Sequence, residues 1–150
     1  MSTAPSLVHT MVEGFRTQRA YEITPELYCQ FLESFGDTSR LHTDDEFSRR
    51  CGFPGLLTHG AILNGFISHF IGVQLPCDAR LQPAVLEHSV RIQYRSPCHV
   101  GDRILVEGVV KQVSEAVGVA IIELVMTNLT RNRVAANVKV QVGLMTGNEG

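Results

Sequence analysis

Gly60 to about Val73 reads Gly-Ala-Ile-Leu-Asn-Gly-Phe-Ile-Ser-His-Phe-Ile-Gly-Val. A helix drawn through it is apolar on nearly every side. In a water-soluble chain such a helix must be covered, so residues of about 60–73 are predicted to lie in the core. The cover comes later in the chain. Val90, Ile92 and Tyr94 alternate with Arg91, Gln93 and Arg95. Arg103 to Val113 and Gly118 to Asn128 are β-rich runs joined near Ser114–Val117. Val134, Ala136, Val138, Val140, Val142 and Leu144 alternate with Ala135, Asn137, Lys139, Gln141 and Gly143, the period of a half-buried strand. Helices early and a meander of long strands late predict an α+β protein, in which an antiparallel sheet of five or more strands wraps one buried helix.

At 150 residues, 44% hydrophobic and 19% charged, residues 1–150 read as a single folded domain, with 1–10 a loose polar tail. The first 75 residues carry 5 basic and 8 acidic side chains. Without a basic stripe, a nucleic-acid partner is not expected. The apolar run of 61–75 is too short to span a bilayer, and no charged-then-apolar leader opens the chain. Cys29, Cys51, Cys77 and Cys98 show no C-x-x-C spacing, which predicts free thiols and a cytoplasmic setting.

Before the central helix, Phe15 to Ile23 reads as a strand. Thr24-Pro25-Glu26 is a helix start, with Thr as cap, Pro in the first turn and an acid at the positive dipole end. Leu27, Phe31, Leu32 and Phe35 follow at helical spacing, and Gly36 ends the helix. Thr43 with Glu46 marks a second, short helix reaching about Cys51. A loop holding Pro76 and Pro83 should then separate the central helix from the strands.

This layout puts chemistry between Phe35 and Gly60. Asp37 and His42 stand five residues apart in a loop, a spacing that can hold one water between a carboxylate and an imidazole. His59-Gly60 opens the central helix, where an unobstructed Gly60 N–H could donate to a carbonyl oxygen as negative charge develops. Asn64 and Ser68 follow at one and two turns. Asp44 and Asp45 suit a helix first turn, and no recognisable ligand spacing points to a metal. The chain also lacks a Gly-x-Ser-x-Gly nucleophile elbow.

Gly36, Asp37, His42, His59 and Gly60 resemble the Gly-Asp-x-Asn-Pro-x-His and His-Gly motifs of the MaoC-like (R)-specific enoyl-CoA hydratases, which have the hot-dog fold. Ser96-Pro97-Cys98-His99-Val100-Gly101-Asp102 is similar to their Pro-x-x-x-Gly-Asp turn. The resemblance spans roughly residues 15–144. It implies Asp37, His42 and the Gly60 N–H as catalytic groups, with His59, Asn64 and Ser68 binding substrate and Ser68 near the carboxylate. It further implies reversible hydration of a trans-2-enoyl thioester of coenzyme A or acyl carrier protein, a homodimer, and neither cofactor nor metal. The family Asn-Pro is replaced by Ser39-Arg40, which forgoes the stiffness of proline and brings a charge near Asp37. A hot-dog thioesterase and a non-catalytic acyl-thioester-binding subunit are the competing readings.

Overall fold

The computed structural model describes residues 11–78 and 84–145. The expected tail at 1–10 and Pro83 lie outside them. Five strands, β1 (Arg16–Glu22), β2 (Ala84–Tyr94), β3 (Arg103–Ser114), β4 (Val119–Asn128) and β5 (Arg133–Met145), form one sheet in the order β1-β3-β4-β5-β2. Every neighbouring pair is antiparallel. Alternation decides which face is buried. Ile104, Val106 and Val110 of β3, Ile122, Leu124 and Met126 of β4, and Val138, Val140 and Val142 of β5 all point to one side and form the core.

That face receives α4 (Ala61–His69), which runs through a π-helical turn (Phe70–Gln74) into α5 (Leu75–Asp78). Ile62, Leu63, Phe66, Ile67, Phe70, Ile71 and Leu75 are buried against the sheet. The expectation of cover on every side needs correction, since Asn64, Gly65, Ser68, Gly72 and Val73 are exposed. A helix seated on one sheet hides one stripe, and the residues left outside are mostly small or polar. Pro76 is not in a loop but inside α5. The wider π turn, where the Leu75 N–H bonds the Phe70 carbonyl, precedes it and accommodates a residue whose ring a regular α-helix would reject.

The close approach of helix and sheet rests on Gly108. A Cβ there would lie 2.5 Å from Phe70 Cε1 and 2.9 Å from Leu124 Cδ2, and both side chains are buried with no room to retreat. Gly108→Ala is expected to cost about 1–3 kcal/mol by overpacking. The check is a lower urea midpoint with an unchanged slope.

The remaining helices frame one end of the sheet. Helix α1 (Pro25–Phe35) starts as the sequence predicts, the Thr24 hydroxyl accepting from Leu27 N–H at 3.1 Å. It ends at Gly36 in the left-handed region, φ 64°. A single turn, α2 (Arg40–Thr43), then occupies the expected loop, and α3 (Asp45–Arg50) follows. The cap of α3 is Asp44 rather than Thr43, because its carboxylate accepts from Phe47 N–H at 2.9 Å. Thr43 instead closes α2 and donates its hydroxyl to the carbonyls of Thr38 and Ser39. Among the described residues, no helix is long and apolar enough to cross a membrane.

Candidate active site

Gly36 turns the chain so that Asp37 leaves the end of α1 half exposed. Its Oδ1 accepts from the Ser39 N–H at 3.2 Å. That backbone bond holds the Asp37 carboxyl below the usual carboxylate range; the Ser39 hydroxyl and the imidazoles of His42 and His59 act in the same sense and outweigh the opposing effect of burial. One turn later, His42 Nε2 stands 4.0 Å from Asp37 Oδ2. The other ring nitrogen, Nδ1, is 2.7 Å from the Leu57 carbonyl. A carbonyl only accepts, so Nδ1 carries a proton, and Nε2 is the ring nitrogen turned toward Asp37.

His59 comes to the same place from across the chain. Its Nε2 donates to the Asp37 carbonyl at 2.9 Å and lies 3.9 Å from Asp37 Oδ2. The ring packs on that of His42, with centroids 3.9 Å apart. His59 is 3% exposed, which makes it a brace for the loop as much as a lining group. Tyr28, a residue no motif marks, donates its hydroxyl to the His42 carbonyl and packs near His59. Its place one helical turn before Leu32, beside the Leu27–Phe31 stripe, was the available signal.

Gly60 precedes α4, and its N–H has no partner among the described residues. His42, His59 and Gly60 share the wall of a cavity of about 370 Å³ with the apolar Phe53 and Leu63. Cys98 is the thiol in this wall. Burial pushes it up to about 11, so it stays protonated and is a poor nucleophile.

The segment before His59 is clamped from both sides. The Leu57 N–H bonds the Leu41 carbonyl, and the Thr58 N–H and hydroxyl both bond the Cys98 carbonyl. His99 Nδ1 donates to the Leu56 carbonyl at 2.7 Å. This clamp belongs to the Ser96–Asp102 turn, whose anchor is Asp102. Its carboxylate is 1% exposed and accepts from the His99 N–H, Asn128 Nδ2 and Arg131 Nε. Burial acts to raise its pKa, but those donors more than reverse it and hold the group below its ordinary value.

No family model matches the chain. A 3-hydroxybutyryl-CoA dehydratase of Methylorubrum extorquens is 30% identical over 81 residues, 54% of this chain and 48% of the relative. A mitochondrial 3-hydroxyacyl-[acyl-carrier-protein] dehydratase of Arabidopsis thaliana is 29% identical over 75 residues, 50% of this chain and 41% of the relative. The match thus spans about half the length of these curated relatives or less. Among solved structures, the (R)-hydratase of A. caviae involved in PHA biosynthesis superposes with a TM-score of 0.77 at 20% identity, covering 89% of this chain and 97% of that one. A MaoC-like dehydratase gives 0.74 at 15% identity, over 92% and 42%.

This chain has the hot-dog fold of the MaoC-like hydratases. Within the hot-dog frame, Asp37 lies within 4.0 Å of His42 and His59 but outside the cavity wall that His42, His59 and Gly60 share, while Asn64 and Ser68 do not join them. Both are exposed on the outer face of α4 and outside the cavity wall, and no hydrogen bond links Ser68 to Asp37 among the described residues. Helical rotation gives the inward stripe to Ile62, Leu63, Phe66 and Ile67 instead. The expected charge of Arg40 beside Asp37 is also redirected. Its guanidinium pairs with Asp44 at 3.0 Å and lies 3.9 Å over the Phe47 ring. The bonds from Thr43 across the loop supply part of the stiffness a proline would have given.

Proposed function

We propose that the protein is a hydro-lyase that adds or removes water at a trans-2-enoyl/(R)-3-hydroxyacyl thioester carried by coenzyme A or acyl carrier protein. The observation that carries this reading is the 4.0 Å gap between Asp37 Oδ2 and His42 Nε2, beside a cavity bordered by a free helix-start N–H. A water oxygen about 2.8 Å from each atom fits there and gives one hydrogen to each acceptor. His42, on one side of that position, also lines the cavity. Asp37 takes the proton as oxygen attacks C3, and the Gly60 N–H stabilises the thioester oxygen as enolate character builds. Return of the proton to C2 balances the addition. The dehydratase names of the two curated relatives support the same reaction class. The test is incubation with crotonyl-CoA while enoyl absorbance and free thiol are followed separately. Loss of enoyl absorbance without thiol release is the expected result. Thiol release without a 3-hydroxy product would assign a thioesterase, and neither signal a binding subunit.

The working unit in this proposal is a homodimer in the cytoplasm. Strands β1 and β2 are both sheet edges, and the outer face of α4 is uncovered; each favours a second copy. Cys29, Cys51 and Cys98 are free thiols, as a reducing compartment would keep them. Light scattering at micromolar concentration is expected to report about twice the 16.5 kDa chain mass, and a strict monomer would remove the dimer from the proposal.

A further inference from the structure

Asp37, His42 and His59 each offer a ligand atom, and the three atoms all lie within 4.8 Å of one another. Two neighbouring imidazoles, tilted by 32° to each other, and a carboxylate are a donor set that divalent zinc-type ions take. His42 is already arranged as a metal-binding histidine would be. Its Nδ1–H is committed to a backbone carbonyl, Leu57, which fixes the ring and presents Nε2. Asp37 is half exposed and can swing. His59 Nε2 now donates to the Asp37 carbonyl, while its Nδ1 is buried with no partner. Moving the ring proton to Nδ1 would free Nε2 at the loss of that hydrogen bond and would leave the Nδ1–H buried without an acceptor, a cost the metal bond must exceed. The separations of 3.9 and 4.0 Å from Asp37 Oδ2, and the 4.8 Å span within which all three ligand atoms lie, must close toward the roughly 3.3 Å that tetrahedral zinc–nitrogen and zinc–oxygen bonds require. The half-exposed carboxylate of Asp37 closes its own two separations, and the more buried His42 and His59 rings must tilt toward each other for the third.

The geometry points to a binding site for a zinc-type divalent ion on Asp37, His42 and His59, at which the ion inhibits by excluding the reactive water. The ion takes the place of that water and occupies both groups that would hold it. Inhibition, but not binding, rests on the hydratase reading. The chain spacing hides this set, because His59 lies 17 residues after His42 and joins it only through the fold.

The test uses the full chain and zinc chloride, with binding followed by competition against a chromogenic chelator in the absence of substrate. One ion per chain is expected. Asp37→Asn and His42→Ala should each weaken binding by at least about 10-fold, with circular dichroism confirming that both fold. A triple variant, Cys29→Ser/Cys51→Ser/Cys77→Ser, should bind as wild type does. Cobalt substituted for zinc should give a visible spectrum without a thiolate charge-transfer band. Hydration of crotonyl-CoA should fall in proportion to zinc occupancy and return on adding chelator. No binding at micromolar zinc, or affinity untouched by Asp37→Asn and His42→Ala, would overturn the site. Turnover that rises with zinc would overturn the inhibition. If the apo protein proves inactive on enoyl thioesters, the reaction assignment falls while the chelator titration still decides the metal site.

Discussion

Asp37→Asn is expected to lower hydration of a trans-2-enoyl thioester by at least about 10²-fold, the scale of a lost general base. The amide keeps the shape, and its oxygen can still accept the Ser39 N–H that holds the loop, so the fold should survive. What goes is the acceptor for the proton of water. His42→Ala should act similarly, since it removes the Nε2 facing Asp37. Initial rates from enoyl absorbance, with circular dichroism for folding, test both. The pH dependence has a definite sign. Asp37 is held below the ordinary carboxylate value of 3.8 by the Ser39 N–H above all, so the base stays ionised throughout the neutral range. Its protonation should reduce turnover only below that value. A variant with wild-type rates would remove Asp37 from the mechanism.

The second large effect concerns stability. Asp102→Ala leaves the His99 N–H, Asn128 Nδ2 and Arg131 Nε without their common acceptor. Removing one partner of a buried ion pair typically costs about 3–5 kcal/mol, which lowers Tm by about 10 °C in a chain of this size. The folded-state pKa of Asp102 is depressed below 3.8. Its contribution is therefore present above that value and lost as pH falls through the folded pKa. The Tm gap between wild type and variant should be full at pH 7 and shrink below about pH 4. The same turn clamps Leu56 and Thr58, so the variant should also lose turnover before it unfolds, as His59 and Gly60 lose their support. A variant with unchanged Tm would show that Arg131 and Asn128 find water instead.

Local and periodic features were legible in the chain itself. The Thr24 cap, the Gly36 stop and the inward alternation of β3, β4 and β5 follow from residue chemistry at short range, and near-neighbour physics does not depend on the rest of the fold. Asp37 and His42 are five residues apart, so a single loop brings them together. Less of β2 was visible, because its residues before Val90 include Glu87, His88 and Ser89 and pair with β5 across a register shift. Edge strands carry polar residues that blur the alternation.

Contacts between distant segments were decided by the tertiary structure alone. Asn64 and Ser68 shared a turn spacing with Gly60, yet the rotation of α4 on the sheet faced them outward. Tyr28, Leu57 and the Ser96–Asp102 turn entered the site through backbone carbonyls, which every residue type possesses and no motif can mark. The sequence by itself determined most of the helices and strands and the five-residue spacing of Asp37 and His42. The placement of His59 against that pair, and the anchoring of its segment by a turn some 40 residues later, came only with the packing of α4 on the sheet.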